Sequence, residues 1–317
     1  MVQKIALEEH FLSPGLVDYW RPTMTEVAPE RGEYFYRNLT DFGELRLQSM
    51  DRAGIARAVL SIAGPGVQAE RDAATATRRA RESNDFLAAE IQKRPDRYSG
   101  FAHLAMQDPR GAADELERCI RDLKFCGAMI NGHTHGQYLD APELYPFWER
   151  ADALGAVIYI HPADPVAQPS VLAGYKVLMR PMWGWGFETA SHALRLLIGG
   201  HFDRFPRSRL MLGHLGETLP FLLWRLDSRA EFHGLKLKKR PSEYIRENVL
   251  VTTSGMCSAE PLNCTLGGLG KDRVMFAADH PFESAQEAGE FIDHVPMPED
   301  LRADICFNNA ARLFGLA

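Results

Sequence analysis

Residues 5–10 have the sequence IALEEH, a short β-prone run that ends in three polar side chains able to bind a metal. Successive side chains on a strand point to opposite faces, so Glu8 and His10 can point to one side while Glu9 points to the other. The same arrangement, a short β-prone run closed by a polar residue, recurs along the chain. This recurrence predicts both the fold and the place of a functional site.

Eight β-prone runs alternate with segments of helical periodicity, which is typical of βαβ units around a parallel sheet. The runs are Ile5–Glu8, Ala58–Ile62, Tyr98–Leu104, Ala128–Asn131, Val157–His161, Leu210–His214, Leu250–Thr253 and Val274–Asp279. The main helical segments are Ala73–Lys93, Gly111–Leu123, Glu143–Leu154, Glu188–Phe202 and Glu217–Phe232. Neither GxGxxG nor a P-loop sequence occurs, which disfavours a nucleotide-binding doubly wound sheet. The pattern favours the α/β class and a closed (β/α)8 TIM barrel.

Two stretches lack this regularity. Pro14–Thr40 has little periodicity, and we expect a long loop after the first strand. Pro162–Trp185 follows the fifth strand, and we expect it to cover the mouth of the barrel. Long loops after barrel strands commonly carry function. Within the second stretch, Trp183 and Trp185 could form an aromatic wall for a flat substrate or pack into the core.

Composition limits the classes of function. The 317 residues are 45% hydrophobic and 25% charged, as in a soluble globular protein, and we expect one domain over residues 1–317. A net charge of −6 without a basic stripe disfavours nucleic acid as a partner. No stretch is long and apolar enough to predict a membrane span. The five cysteines lack metal or redox spacing, and we expect reduced core thiols in a cytoplasmic protein.

Several predicted strands end in side chains that bind metals or protons. They are Glu8 and His10 after the first strand, Asn131 after the fourth, His161 after the fifth, His214 after the sixth and Asp279 after the eighth. Active sites of TIM barrels lie at the C-terminal ends of the strands, so these side chains should converge. Each histidine taken alone is more often a hydrogen-bonded structural residue. Their joint placement predicts a mixed nitrogen and oxygen site for Zn²⁺ or Mn²⁺.

His133 and His135 form a second His-x-His sequence just beyond the fourth strand. They lie in a glycine-rich loop without a carboxylate in register, so we expect them to be structural.

The placement of these residues resembles the amidohydrolase superfamily, in the variant where Glu replaces the first His of a His-x-His motif. Further segments resemble one subgroup, the metal-dependent hydroxybenzoate decarboxylases, which act on γ-resorcylate, 2,3-dihydroxybenzoate, salicylate or 5-carboxyvanillate. The segments are KIALEEHF at 4–11, PGVQ at 65–68, RPDR at 94–97, LGHLGE at 212–217, WR at 224–225, TTSG at 252–255, DRVMFAADHPFE at 272–283 and NAARLFGL at 309–316.

The resemblance implies a barrel of the amidohydrolase type, one divalent metal ion per subunit (Zn²⁺ or Mn²⁺) and a homo-oligomer, either a dimer or a tetramer. It implies non-oxidative decarboxylation of a small aromatic acid with an ortho hydroxyl. The implied residues are Glu8, His10, His161 and Asp279 as metal ligands, His214 with Glu217 as partner dyad, Arg225 against the substrate anion across a subunit contact, and Asn131 and Phe282 near the substrate. The position of Asp279 next to the metal makes it the candidate proton donor to the ring carbon.

Three departures leave the substrate open. His280 stands where relatives have Trp or Tyr, and the loop that begins PADPVAQPS after His161 differs from the γ-resorcylate pattern. The segment 131–140 is more similar to the 5-carboxyvanillate branch, whereas EEHF at 8–11 is more similar to the resorcylate branch. The alternative function is metal-dependent hydrolysis of a lactone or ester. A binding barrel without activity is the third reading.

Overall fold

The computed structural model describes residues 2–316. Eight parallel strands form one sheet in which each strand pairs with the next in chain order. They are β1 (Lys4–Phe11), β2 (Ile55–Ile62), β3 (Tyr98–Ala102), β4 (Gly127–Asn131), β5 (Val157–His161), β6 (Arg209–Leu212), β7 (Val249–Thr252) and β8 (Val274–Met275). All eight predicted strands are present. Strand β8 is shorter than expected because its pairing with β7 ends at Met275.

The segment after β8 joins back to β1 and closes the sheet into a barrel. Leu7 N donates to Phe276 O at 3.2 Å, Asp279 N donates to Glu8 O at 2.9 Å, and His10 N donates to His280 O at 2.7 Å. These bonds confirm the predicted (β/α)8 barrel. They also place residue 279 beside residue 8 at the C-terminal ends of the strands.

Helices surround the barrel and connect its strands. They are α1 (Val17–Trp20), α2 (Pro29–Thr40), α3 (Glu44–Ala53), α4 (Ala73–Lys93), α5 (Pro109–Arg121), α6 (Tyr145–Leu154), α7 (Gly184–Ile198), α8 (His201–Arg204), α9 (Leu219–Phe232), α10 (Pro241–Asn248), α11 (Ala259–Leu269), α12 (Ala285–His294), α13 (Glu299–Ala303) and α14 (Asn309–Phe314). A π-helical turn, Asp304–Asn308, precedes α14. Phe314 of α14 packs on Phe101 of β3, with ring centroids 5.8 Å apart, so the C-terminal helix contacts the interior of the barrel.

Apolar side chains fill the barrel beneath the strand ends. Each strand contributes to this interior cluster: Ile5, Leu7, Val59, Phe101, Met129, Val157, Tyr159, Met211, Leu250 and Met275. A register shift on β1 between Ala6 and Glu9 places one extra residue against β2. Such a bulge redirects side chains locally. It brings Glu8 to the barrel interior directly after Leu7, which strict alternation would not allow.

The expectation of a long loop at Pro14–Thr40 is wrong. Most of this stretch is helical, with α1, α2 and two 3-10 turns. Helix α2 begins at Pro29, where the missing N–H of proline costs nothing, and buries Phe35 and Leu39. By contrast, residues 162–183 are irregular apart from two short 3-10 turns, as expected.

The cysteines and the helix lengths test two further expectations. All five cysteines are free. Cys119 and Cys306 are buried, but Cys257 and Cys264 are exposed, so the expectation of core thiols is wrong for these two. Within residues 2–316, no helix has the length and apolar character needed to cross a membrane.

Candidate metal centre and active site

Four side chains meet at the C-terminal mouth of the barrel: Glu8 and His10 from β1, His161 from β5, and Asp279 from the segment after β8. One ligand atom of each lies within 4.8 Å of the others. His10 Nε2 is 3.2 Å from Asp279 Oδ1 and 4.0 Å from Glu8 Oε1, and His161 Nε2 is 3.7 Å from Glu8 Oε1. The structure therefore brings together the four residues predicted to bind a metal.

Apart from these contacts with one another, the ligand atoms lack hydrogen-bond partners. Glu8 Oε1, His10 Nε2 and Asp279 Oδ1 are buried, and none has a hydrogen-bond partner among the described residues. Buried polar atoms are normally satisfied, so three unsatisfied atoms facing one point indicate a bound group. Two carboxylate oxygens and two imidazole nitrogens suit a single divalent ion of the Zn²⁺ or Mn²⁺ type.

The remaining atoms of these ligands are held by the protein. Tyr159 OH donates a short hydrogen bond to Glu8 Oε2, which leaves Oε1 free. His161 Nδ1 lies 2.8 Å from Pro162 O, which accepts its proton and leaves the lone pair on Nε2. Burial, together with the nearby His10, lowers the pKa of His161 to about 3. A neutral, oriented imidazole is the form that binds metals.

The two carboxyl groups differ in electrostatic environment. Burial raises the pKa of Glu8, and the negative charge of Asp279 raises it further. Burial also acts to raise the pKa of Asp279, but its contacts with the His10 and His214 rings hold that pKa well below the usual range. Two carboxylates this close repel one another, so a cation between them is favoured.

His214 and Glu217 form the predicted dyad beside this centre. His214 Nδ1 is 2.7 Å from Glu217 Oε1, and His214 Nε2 is 3.7 Å from Asp279 Oδ2. Burial opposes protonation, but the Glu217 charge, the contact with Asp279 and the hydrogen bond to Glu217 raise the pKa of His214 well above its ordinary value. His214 is therefore a group that favours its protonated form and faces Asp279.

The dyad sits on a strained turn after β6. Residues 214–218 have φ values of 50°, 56°, 87°, 52° and 69°, and four of these five residues are not glycine. Asp279 also has a positive φ, of 64°. Such conformations cost about 1–3 kcal/mol each and cluster at functional sites. The turn holds His214 and Glu217 in geometry that a relaxed helix start would not provide.

Asn131 and Phe282 lie beside the centre as predicted. Asn131 ends β4 next to His161 in register, is 2% exposed, and has no hydrogen-bond partner for either amide atom among residues 2–316. The Phe282 ring centroid is 5.5 Å from that of His10 and 5.1 Å from that of Phe35. The site therefore offers a free amide and an aromatic face next to the ligands.

Arg225 is not brought to the centre within this subunit. It is exposed on α9, and the described residues offer it no hydrogen bond or ion pair. Its neighbours Phe221 and Trp224 are 79% and 78% exposed, which is unusual for large apolar side chains.

The loop after β5 borders the mouth. Trp185 Nε1 donates to Asp164 Oδ1 at 2.6 Å, and its ring centroid is 6.3 Å from that of His161. Arg180 Nη1 donates to Thr23 O at 3.3 Å, which ties the loop to the 3-10 turn that follows α1. Trp185 therefore fits an aromatic wall, whereas Trp183 is 55% exposed and does not pack into the core.

The other histidines near the mouth contact backbone. His133 Nε2 lies 3.1 Å from Asp164 O, and His135 Nε2 lies 2.7 Å from Glu70 O, in keeping with structural roles. His280 is buried and its Nε2 lacks a partner among the described residues. Sequence reasoning missed Tyr159, although it alternates with Val157 and His161 and so shares their face of β5.

Comparison with known proteins agrees with the geometry. Residues 37–316 match the family model for amidohydrolases. The γ-resorcylate decarboxylase of Rhizobium sp. (strain MTP-10005) is 39% identical over 336 residues, covering 100% of this chain and 99% of that protein. A solved 2,6-dihydroxybenzoate decarboxylase in complex with 2,6-dihydroxybenzoate superposes with a TM-score of 0.94 at 38% identity, over 100% of both chains.

A dihydroxybenzoic acid decarboxylase from Polaromonas sp. JS666, solved with manganese and 2-nitroresorcinol, has a TM-score of 0.93 at 38% identity, over 100% of this chain and 98% of that one. A (β/α)8 barrel with a single Glu, His, His, Asp centre at its mouth defines a class, and the chain belongs to the amidohydrolase family. Within that family it is a member of the metal-dependent hydroxybenzoate decarboxylases, which are carboxy-lyases.

Proposed function

We propose that this protein removes CO₂ without oxidation from a benzoic acid that carries an ortho hydroxyl, with 2,6-dihydroxybenzoate as the first candidate. The observation that carries the proposal is the set of unsatisfied ligand atoms on Glu8, His10 and Asp279, with the His214–Glu217 dyad directed at Asp279. Similarity along the whole chain to γ-resorcylate decarboxylases supports this substrate class.

Glu8, His10, His161 and Asp279 hold one divalent ion, either Mn²⁺ or Zn²⁺. When bound, this ion supplies the positive charge that holds the carboxylate and the ortho oxygen of the substrate together and favours the phenolate form. Tyr159 and Pro162 O keep the ligand atoms of Glu8 and His161 pointed at the ion. The flat ring is held between Phe282 and Trp185, with the Asn131 amide donating to a substrate oxygen.

The chemistry requires a proton at the ring carbon before CO₂ leaves. Direct loss of CO₂ would leave an aryl anion in the plane of the ring, beyond the reach of resonance. An ortho phenolate instead pushes an electron pair toward the carboxylated carbon, which takes a proton and becomes tetrahedral. The C–C bond then breaks, its electron pair returns to the ring, and CO₂ departs as aromaticity is restored.

Asp279, a carboxylate at rest, takes a proton from His214 and delivers it to the ring carbon. The proton on His214 Nε2 faces Asp279 Oδ2 across 3.7 Å, and Glu217 keeps the imidazole ring oriented through Nδ1. General acid catalysis requires a donor close to the carbon that accepts the proton. After release of CO₂, the ortho oxygen is again a phenolate; it takes up one proton from solvent as the phenol leaves, and His214 takes up a second.

Arg225 contacts the substrate anion in a neighbouring copy, so the protein works as a homo-oligomer, a dimer or a tetramer. The exposed Phe221 and Trp224 beside Arg225 on α9 give this face the apolar character of an interface. A subunit contact would bring this guanidinium, which has no partner among residues 2–316, to the substrate anion.

We further propose a cytoplasmic location and one domain over residues 1–317. Five free thiols suit a reducing compartment. The interior cluster of the barrel includes residues from β1 and from α14, so the two ends of the chain share one core.

The test is CO₂ release from Mn²⁺-loaded protein with 2,6-dihydroxybenzoate, 2,3-dihydroxybenzoate, salicylate and 5-carboxyvanillate. We expect release that stops on chelation and is fastest with the first acid. Asp279→Asn should retain a large part of the metal and lose turnover, whereas Asp272→Asn, in the 3-10 turn that precedes β8, should match the wild type. No CO₂ from any acid with metal bound would refute the proposal and would favour hydrolysis of esters or lactones.

A mixing experiment tests the role of Arg225. Arg225→Gln subunits keep an intact centre, and Asp279→Asn subunits keep an intact Arg225. Random mixing into dimers should restore about a quarter of wild-type activity, because half of the dimers are mixed and one of their two sites is complete. Activity no higher than the average of the separate variants would refute a shared site.

A further inference from the structure

The sequence TTSG at 252–255 begins with the last residue of β7, a strand that supplies neither a metal ligand nor the dyad. Its hydroxyl groups are nonetheless buried among the site residues. Thr252 is fully buried, and so is Ser254. Buried polar residues without a role in the core are candidates for work at the adjoining site.

A continuous chain of hydrogen bonds runs from these residues to Glu8. Ser254 Oγ is 3.1 Å from His214 N and 3.0 Å from Thr252 Oγ1. Thr252 Oγ1 is 2.7 Å from Tyr159 OH, and Tyr159 OH contacts Glu8 Oε2. The chain therefore joins β6, β7, β5 and β1.

The direction of every bond in this chain follows from its two ends. A backbone N–H can only donate, so Ser254 Oγ accepts from His214 N. A carboxylate can only accept, so Tyr159 donates to Glu8. Because Tyr159 uses its one proton on Glu8, Thr252 donates to Tyr159 at 2.7 Å and, at 3.5 Å, to Glu8 Oε2, and Ser254 donates to Thr252. Bonds aligned in one direction polarise one another, and this chain presents its positive end to the Glu8 carboxylate.

The glycines and the remaining threonine of the two turns keep the chain in place. A Cβ on Gly213 would lie 2.8 Å from Glu8 Oε2 and 2.9 Å from Ser254 Oγ. Gly255 has a φ of 61°, and a Cβ there would lie 3.1 Å from His214 Cδ2. Thr253 Oγ1 donates to Ala277 O at 3.0 Å and accepts from Ala277 N at 3.1 Å, which fixes β7 against the segment that carries Asp279.

We propose that Tyr159, Thr252 and Ser254 are positioning residues that hold Glu8 for metal binding and hold the backbone of His214 for proton transfer. The role at the His214 backbone rests on the proposed function. The role at Glu8 does not, because it concerns metal binding alone. Because Tyr159 holds Glu8 Oε2, Oε1 is the oxygen that is left without a partner and faces His10 and His161. Loss of the chain leaves a buried carboxylate that can rotate.

The experiment measures the dissociation constant of Mn²⁺ from the full-length protein by electron paramagnetic resonance of the free ion. Tyr159→Phe and Thr252→Val each remove one hydroxyl and keep the side-chain volume. Tyr98→Phe is the matched control, since the buried Tyr98 OH donates to Phe42 O at the other end of the barrel. Thr252→Ser should restore binding, because it returns the hydroxyl.

We expect Tyr159→Phe to weaken Mn²⁺ binding about 10–100-fold, the usual effect of removing a partner of a metal ligand. The effect should be smaller for Thr252→Val and smallest for Ser254→Ala, since each is further from Glu8. Ser254→Ala should instead lower kcat with little change in KM. Its control is Ser242→Ala, which removes a buried hydroxyl bonded to Asp227 on the outer helices.

Mn²⁺ binding by Tyr159→Phe and Thr252→Val that equals that of Tyr98→Phe would overturn the inference. If Thr252→Val does not fold, Tyr159→Phe and Thr252→Ser still decide the question. The binding measurement needs no substrate. A protein that releases no CO₂ but shows the expected loss of Mn²⁺ affinity would refute the proposed function and leave the positioning role of Tyr159 and Thr252 intact.

Discussion

Replacement of Gly213 by alanine probes how tightly the metal centre is packed. Gly213 has a φ of −71°, which alanine adopts without strain, so any effect comes from the added methyl group. That methyl would lie 2.8 Å from Glu8 Oε2, 2.9 Å from Ser254 Oγ and 3.2 Å from Tyr159 OH. It therefore meets three atoms of the hydrogen-bonded chain at once.

The size of the effect follows from these distances. Ordinary contacts of a methyl carbon begin near 3.4 Å, so the Glu8 and Ser254 oxygens must each move by about half an ångström. Forcing a methyl group into a packed interior costs roughly 1–3 kcal/mol. The movement of Glu8 Oε2 also turns Oε1 away from the other ligands, so we expect metal affinity to fall together with stability.

Urea unfolding of the metal-free protein and Mn²⁺ titration measure the two effects separately. Gly267→Ala is the matched control, because Gly267 lies within α11 with nothing within 4 Å of the position of a Cβ. Alanine in an open helix position should stabilise by about 0.5–1 kcal/mol, which is the opposite sign. Unfolding and Mn²⁺ binding by Gly213→Ala that equal those of the wild type would refute the packing argument.

Three further predictions concern metal, substrate and pH. Chelation should lower the unfolding free energy by about 2.7 kcal/mol relative to protein with Mn²⁺ at a hundred times its dissociation constant, as urea titration can show. Asn131→Ala should raise KM for 2,6-dihydroxybenzoate about tenfold or more without changing Mn²⁺ affinity, since a hydrogen bond to a charged group contributes roughly 1.5–3 kcal/mol; an unchanged KM in steady-state assays would argue against a contact. Burial lowers the pKa of His192 to about 3, and its Nε2 accepts from Leu139 N. The unfolded chain takes up this proton near pH 6.5, so stability should fall as the pH drops from about 6.5 to 3, by up to ~1.4 kcal/mol per pH unit. His192→Gln should flatten that slope in pH-dependent unfolding, and an unchanged slope would contradict the assignment.

The strands and the metal-binding residues could be predicted from the sequence because both depend on local sequence patterns. A buried parallel strand is a short apolar run, and a ligand at its end follows directly in sequence, as His161 does after Val157. The helix Ala73–Lys93 was also predicted with its correct limits, since Asp72 caps its start through Thr75 N at 2.9 Å. The prediction for Pro14–Thr40 failed because α1 and the two 3-10 turns are short, and α2, although twelve residues long, buries only Phe35 and Leu39.

The direction of the Glu8 side chain could be predicted from the sequence, but the β-bulge that causes this direction could not. Alternation alone gives Glu8 and His10 one face, yet it places Leu7 on the other face, and the structure has Leu7 in the interior cluster as well. The bulge between Ala6 and Glu9 reconciles the two. A bulge depends on pairing with β2, which lies some fifty residues away, so a local pattern carries no sign of it. Partners that come from distant strands, such as Tyr159 for Glu8, are hidden for the same reason.

The left-handed turn at 214–218 has a consequence for the mutations that the protein can accept. Glycine and asparagine adopt such backbone at lower cost than the Leu215, Glu217 and Thr218 found there. A saturation library sorted for thermal survival should therefore enrich small or amide side chains at these sites. The same library sorted for growth on an aromatic acid should keep Glu217, whose carboxylate orients His214. The two enrichment maps should diverge most along these five residues, where selection for turnover and selection for survival demand different side chains.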